Sequence, residues 1–135
     1  NQPGVAKGFV SLDMLDTVHA KLDTLLAASR AYLDDLYFCP HHPESGWEGE
    51  IPELKISCEC RKPKGGMLLQ AARDHHIDLT RSFMIGDRES DVIAGKTAGC
   101  CTIFIRNATD SIKIDCLADY TYSSLAEAVD FILTN

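Results

Sequence analysis

The chain has 135 residues, 13 Lys and Arg against 20 Asp and Glu, a formal net charge of −7 and 45% hydrophobic residues. That length supports one domain with a real core, and the acidic balance speaks against nucleic acid as a partner, because phosphate backbones reward surplus Lys and Arg. No apolar run approaches the roughly 20 residues that span a bilayer, and no signal-peptide pattern is present, so a membrane is not expected and the six cysteines fit a reducing cytoplasm better than a secreted framework.

In chain order, Asn1-Gln2-Pro3-Gly4 opens without Met and reads as the middle of a loop, which predicts a natural start further upstream. It is also a Gly-containing turn before a helix, able to offer amides to an anion. Ser11 reads as an N-cap, and Leu15, Val18, Leu22, Leu25 and Leu26 recur at helical spacing to about Tyr32. Leu36-Tyr37-Phe38 is a short aromatic-rich strand delivering Cys39. Residues 40–57 are a long loop with Pro40, Pro43, Gly46, Gly49 and Pro52, long enough to call for a function or a staple. A helix follows from about Gly66 to His76, with Met67, Leu68, Ala71 and Ala72 inward. Ser82 to Ile85 is a buried strand ending at Gly86-Asp87, and Ser90 caps a helix to about Ala98 closed by Gly99. Cys101 to Ile105 is an apolar strand, residues 107–110 a polar turn, Tyr120 to Tyr122 a strand and Ser124 to Leu133 a last helix. Strands and helices alternating in this way, with continuously apolar strands, predict an α/β fold with a parallel sheet covered by helices on both faces.

Three constellations carry chemistry. Cys39-x-His41 and Cys58-x-Cys60 supply three thiols and an imidazole, the four donors of a closed structural zinc site, so the expected staple is Zn²⁺ across loop 39–60. A Cys-x-Cys pair is too tight for an easy internal disulfide. Cys100, Cys101 and Cys116 remain, and read as small apolar core residues. Arg61 and Lys62 follow the last zinc thiol and precede Pro63; a guanidinium and an ammonium pinned there suit a phosphate or sugar hydroxyl. Asp87 and Asp91 stand at a strand's carboxyl end, where ligands of open α/β sheets bind. Their i, i+4 spacing allows both carboxylates to face one point and hold Mg²⁺; it is equally the dress of a helix N-terminus favoured by the dipole.

Together these residues resemble the haloacid dehalogenase (HAD) superfamily of phosphatases, and within it the zinc-containing branch that acts on heptose bisphosphates and histidinol phosphate. The specific stretches are Cys39-Pro40-His41-His42-Pro43, Cys58-Glu59-Cys60-Arg61-Lys62-Pro63 with Gly66-Met67-Leu68, and Ile85-Gly86-Asp87-Arg88-Glu89-Ser90-Asp91 with Ala94-Gly95-Lys96-Thr97-Ala98-Gly99. The sixteen residues between His41 and Cys58 match the longer zinc loop of the heptose enzymes, so heptose bisphosphate is the first expectation and histidinol phosphate the second. The resemblance implies a HAD-like Rossmannoid domain over residues 1–135 and removal of the C7 phosphate through an aspartyl-phosphate. It assigns Lys62 to the nucleophile and the transferring phosphoryl group, Arg61, Arg88, Asn1 and Gln2 to substrate, and Asp87 to Mg²⁺, with Asp91 behind it. The Asp-x-Asp-x-Thr motif of the superfamily's first strand has no counterpart, since no Asp-x-Asp occurs in these residues. Gly65 also stands where the branch commonly has Pro. The expectation is therefore an active phosphatase as the full-length protein, a monomer, with this chain alone inactive and prone to self-association at the edge where a first strand belongs. The competing expectation is a noncatalytic zinc-stabilised binding module, which would have no reason to keep Lys62 and Asp87 together.

Overall fold

A computed structural model describes residues 1–106 and 117–134; the expected turn at 107–110 and Cys116 lie outside the described residues. The fold divides into two compact units, Asn1–Cys58 and Glu59–Asn135.

In the first unit, α1 (Pro3–Ala6) is a single turn started by its proline, whose missing N–H costs nothing at that position. The longer α2 (Leu12–Ala28) begins where the sequence predicts, with the Ser11 hydroxyl accepting from the Met14 N–H at 3.1 Å, but ends four residues before Tyr32. Its apolar stripe has the right period, yet of it Leu15 alone is buried; Val18 and Leu25 are more than half exposed. The expected strand at Leu36–Phe38 is not formed: those residues take no part in the sheet among the described residues. Their aromatic content serves side-chain packing instead, with Phe38 against the His19 ring at 5.3 Å between centroids. The long loop is irregular as expected, broken by one 3-10 turn at Pro52–Leu54.

The second unit contains α3 (Gly66–His75), β1 (Phe83–Gly86), α4 (Glu89–Ala98), β2 (Cys101–Ile105), β3 (Tyr120–Tyr122) and α5 (Leu125–Thr134). The three strands form a parallel sheet in the order β1-β2-β3, with Phe83 opposite Cys101 and Ile103 opposite Tyr120. On its other edge β1 meets no strand among the described residues. Helix α4 makes the crossover between β1 and β2 and lies against both, while α3 packs on α4 and α5 on β2 and β3. The centre of this unit is β2: Thr102, Ile103 and Phe104 are fully enclosed, and Phe104 forms an apolar cluster with Val92 and Ala118. Burying a Phe contributes about 1.5–3 kcal/mol. The expected burial of β1 is not met, because it is the edge strand and Phe83 is 41% exposed. Likewise α4 is capped from Arg88 and not from Ser90, which lies inside the first turn.

Thr102 is polar and wholly buried, so its hydroxyl needs a partner. Asp119 supplies it. That carboxylate accepts from the Thr102 N–H and hydroxyl, each at 2.8 Å, and pairs with the Lys96 ammonium, tying β2, α4 and the entry to β3 together. The Lys96 ammonium, then the Thr102 N–H and hydroxyl, hold its carboxyl down at about 2, below the ordinary 3.8. A depressed folded pKa gives stability that is present above the unfolded value and lost as pH falls through the folded one. The stability difference between the wild type and Asp119→Asn, from urea midpoints, is therefore expected to be constant above pH 3.8 and to shrink as pH falls towards about 2; a difference independent of pH across that window would contradict the assignment.

Candidate functional site

The two ends of the 40–57 loop bring Cys39, His41, Cys58 and Cys60 together, and their ligand atoms all lie within 4.8 Å of one another. Cys39 Sγ is 3.6 Å from Cys58 Sγ and 3.7 Å from His41 Nδ1. Zinc–sulfur bonds of about 2.3 Å in a tetrahedron put sulfurs roughly 3.8 Å apart, so the donor set and its spacing fit Zn²⁺. Four protein donors make up the group among the described residues, the number a closed tetrahedral site takes. Cys39 is fully buried, and its carbonyl accepts from the Gln2 N–H at 2.7 Å. Asn1 is half-buried and Gln2 exposed at the entry to α1.

Cys100 and Cys101, by contrast, sit apart from this group at the start of β2. Burial pushes both thiols above their ordinary range, which leaves them un-ionised and poor nucleophiles. The expectation of small apolar residues holds well for Cys100, which is buried, and less well for the half-buried Cys101.

The second constellation is built on the loop from Cys60 to Pro63 and on the end of β1. Lys62 Nζ lies 2.6 Å from Asp91 Oδ1, and their side chains are 24% and 6% exposed. Asp91 turns back over the first turn of α4, where its Oδ2 accepts from the Arg88 N–H at 3.2 Å. A helix cap and an ion pair thus use one oxygen each. Gly86 is required by the approach: a Cβ there would lie 2.2 Å from the Cβ of Asp91. The two carboxylates of the sequence expectation differ in setting. Asp87 is exposed beyond the carboxyl end of β1, while Asp91 is drawn inward to Lys62. Exposed Arg88 and half-buried Arg61 flank this pair in sequence. The arrangement presents a held ammonium, two guanidiniums and the exposed carboxylates of Asp87 and Glu89 around a strand's carboxyl end, which is suited to an anionic ligand accompanied by a hard cation.

Sequence reasoning missed a third cluster. Trp47, Lys7, Lys55, Glu50 and His42 meet in the first unit, and their residue types, scattered over loop and helix end, carry no spacing that marks them.

Comparison with known proteins agrees with this geometry. The HAD-hydrolase-like family model matches residues 59–128. A D-glycero-beta-D-manno-heptose-1,7-bisphosphate 7-phosphatase of Yersinia pestis is 36% identical over 129 residues, covering 94% of this chain and 66% of that protein. A D-glycero-D-manno-heptose-1,7-bisphosphate 7-phosphatase of Thermosynechococcus vestitus is 38% identical, covering all of this chain and 72% of that protein. The crystal structure of a D,D-heptose 1,7-bisphosphate phosphatase from B. bronchiseptica, complexed with magnesium and phosphate, superposes with a TM-score of 0.82 at 28% identity over 99% of this chain and 71% of that one. The chain thus spans about two-thirds of the length of such relatives. The shared sheet, the Lys62–Asp91 pair beside Asp87 and these matches lead to one conclusion: the chain belongs to the HAD-like hydrolase family.

Proposed function

We propose that the protein to which these residues belong is a phosphatase that removes the C7 phosphate of D-glycero-D-manno-heptose 1,7-bisphosphate. The observation that carries the reading is the Lys62 ammonium held 2.6 Å from a buried carboxylate directly after a Cys-x-Cys pair, in a chain whose curated relatives bear that name. By this reading Lys62 offsets charge on the phosphoryl oxygens as the group is transferred, and Arg61 and Arg88 grip the substrate's anionic or hydroxyl groups. Asn1 and Gln2 are assigned to substrate as well. Asp87 would offer a carboxylate to Mg²⁺, with Asp91 behind it, and the bound cation supplies Lewis-acid stabilisation of the phosphoryl oxygens. Cys39, His41, Cys58 and Cys60 would hold Zn²⁺ as a structural ion, since a site with four protein donors keeps no position for substrate. These residues contain no Asp-x-Asp, so the attacking carboxylate is assigned to residues outside them. By this reading the protein works in the reducing cytoplasm, which thiols kept for a metal support.

The deciding assay is phosphate release with Mg²⁺ from heptose 1,7-bisphosphate, histidinol phosphate and an aryl phosphate. It is run on this chain and on the chain extended to its natural start codon. Turnover by the extended protein with heptose bisphosphate preferred is expected; no turnover by either, with zinc bound, sinks the reading in favour of a binding module. Lys62→Met in the extended protein is expected to lower kcat by about 100- to 1,000-fold. It also strands a buried carboxylate, at the lower end of the roughly 3–5 kcal/mol that breaking a buried pair costs. The double variant Lys62→Met/Asp91→Asn separates the two effects: melting temperature recovers and activity does not.

Metal analysis gives an independent expectation. One zinc per chain is predicted by elemental analysis, and Cys58→Ser is expected to reduce it to background and to lower the melting temperature, because zinc binding contributes folding free energy. Full zinc occupancy in Cys58→Ser would remove Cys58 from the ligand set.

A further inference from the structure

The zinc loop is closed a second time, by residues that donate nothing to the metal. Trp47 is the one tryptophan in the sequence. Lys7 Nζ lies 4.0 Å and Lys55 Nζ 4.4 Å from its ring, and the His42 ring meets it edge-on at 5.1 Å. The Lys55 side chain is 7% exposed and pairs with Glu50 at 3.2 Å. The same Glu50 oxygen accepts from the Gly46 and Trp47 N–H groups at 3.0 and 3.2 Å, so one carboxylate ties both arms of the 46–55 turn. The turn is built onto α1: the Ile51 N–H donates to the Ala6 carbonyl at 3.0 Å. Gly8, at a φ of +75°, packs so closely that a Cβ would lie 2.0 Å from the Gly49 carbonyl. These contacts reach the metal ligands from two directions. His42, next to His41, is buried with its N–H on the Leu54 carbonyl at 3.1 Å. The other end of the α1 segment gives the Gln2 N–H to the Cys39 carbonyl. A single-turn helix has no stability of its own and takes its position from what holds it.

We propose that Trp47 and Lys55 are positioning residues for the zinc site, holding Cys39 and His41 in place through α1 and the 46–55 turn, whether or not the metal is bound. The proposal rests on the reading of Cys39, His41, Cys58 and Cys60 as zinc ligands. A ligand set ordered before binding loses less conformational freedom when the metal arrives, and outer partners of metal ligands commonly change affinity 10- to 100-fold.

The test is zinc affinity by competition with a chelator, alongside tryptophan emission with and without zinc. Trp47→Ala and Lys55→Met are each expected to weaken zinc about 10-fold, and Trp47→Phe, which keeps a ring between the two ammoniums, to bind within about threefold of wild type. Val92→Ala in the sheet unit should lower the melting temperature and leave zinc affinity alone, which separates positioning from general stability. In the wild type, chelation is expected to leave the Trp47 emission maximum close to its zinc-bound position. Wild-type zinc affinity in both Trp47→Ala and Lys55→Met overturns the proposal, as does apo emission matching that of the urea-unfolded chain. A wild type that binds no zinc sinks the ligand assignment itself, and the positioning role with it. If Trp47→Ala fails to fold, Lys55→Met and Trp47→Phe decide.

Discussion

The pairing of Lys62 with Asp91 is the constraint on which the candidate phosphate site hangs. Asp91 is almost fully enclosed, and an ionised carboxylate there is costly unless a cation meets it. Replacing such a pair by apolar groups of similar volume is often neutral or stabilising, so its retention is better explained by what it positions. Here it positions a great deal. Asp91 stands in the first turn of α4 and accepts from the N–H of Arg88, its N-cap, so the ammonium is referenced to the helix that packs on β1 and β2. Lys62 in turn follows the Cys-x-Cys pair, and the chain between Arg61 and Lys64 is a tight turn closed by the Lys64 N–H on the Arg61 carbonyl at 3.0 Å. Just beyond it, Gly66 donates to the Glu59 carbonyl, so the cation-bearing loop is hydrogen-bonded to its own start before α3 begins.

A long loop is an entropic liability, and the chain meets it with two different kinds of chemistry. The cysteine–histidine group draws together residues far apart in sequence, which is where a metal clip gains most in closing a loop. The Trp47 cluster relies on a ring in contact with two cations, each contact being about 0.5–2 kcal/mol depending on how dry it is, and on one carboxylate collecting three donors. The Trp47 N–H, then Lys55 and the Gly46 N–H, hold the Glu50 carboxyl below its usual range. The first device depends on metal supply and redox state; the second depends on neither.

How much of this the sequence disclosed follows from what each signal encodes. The four candidate zinc ligands are read from spacing and donor type, and their ligand atoms come together. Strands β2 and β3 and helices α3 and α5 fall within one residue of expectation, because period and capping are local properties. The strand at Leu36–Phe38 fails because strand propensity reports a fit to a pleated surface, and pairing needs a neighbour that propensity cannot supply. The stripe on α2 correctly announces a helix, but period says only that a face wants cover; Val18, Leu22 and Leu25 remain exposed. The i, i+4 spacing marks Asp87 and Asp91 but carries no sign that Lys62, far away in sequence, pairs with Asp91. Trp47, Lys55 and Asp119 were invisible for the same reason: their partners are set by tertiary contact.

Charge is the physical argument for the proposed cation on Asp87. Lys62 is paired with Asp91, which already offsets it and leaves that couple close to neutral. Asp87 adds a negative charge and Arg61 and Arg88 two positive ones, so the segments 61–62 and 87–91, with Glu89 counted as well, sum to about zero at neutral pH. The chain around them carries −7. A phosphate monoester near pH 7 carries close to two negative charges, and a neutral patch on an acidic protein offers it little net attraction. A divalent cation on Asp87 turns that sum to about +2, matching the dianion at the point where the ammonium is already fixed. By the proposed reading Lys62 would contribute direction and a donor, and the bulk of the charge that draws a phosphate would come with the ion.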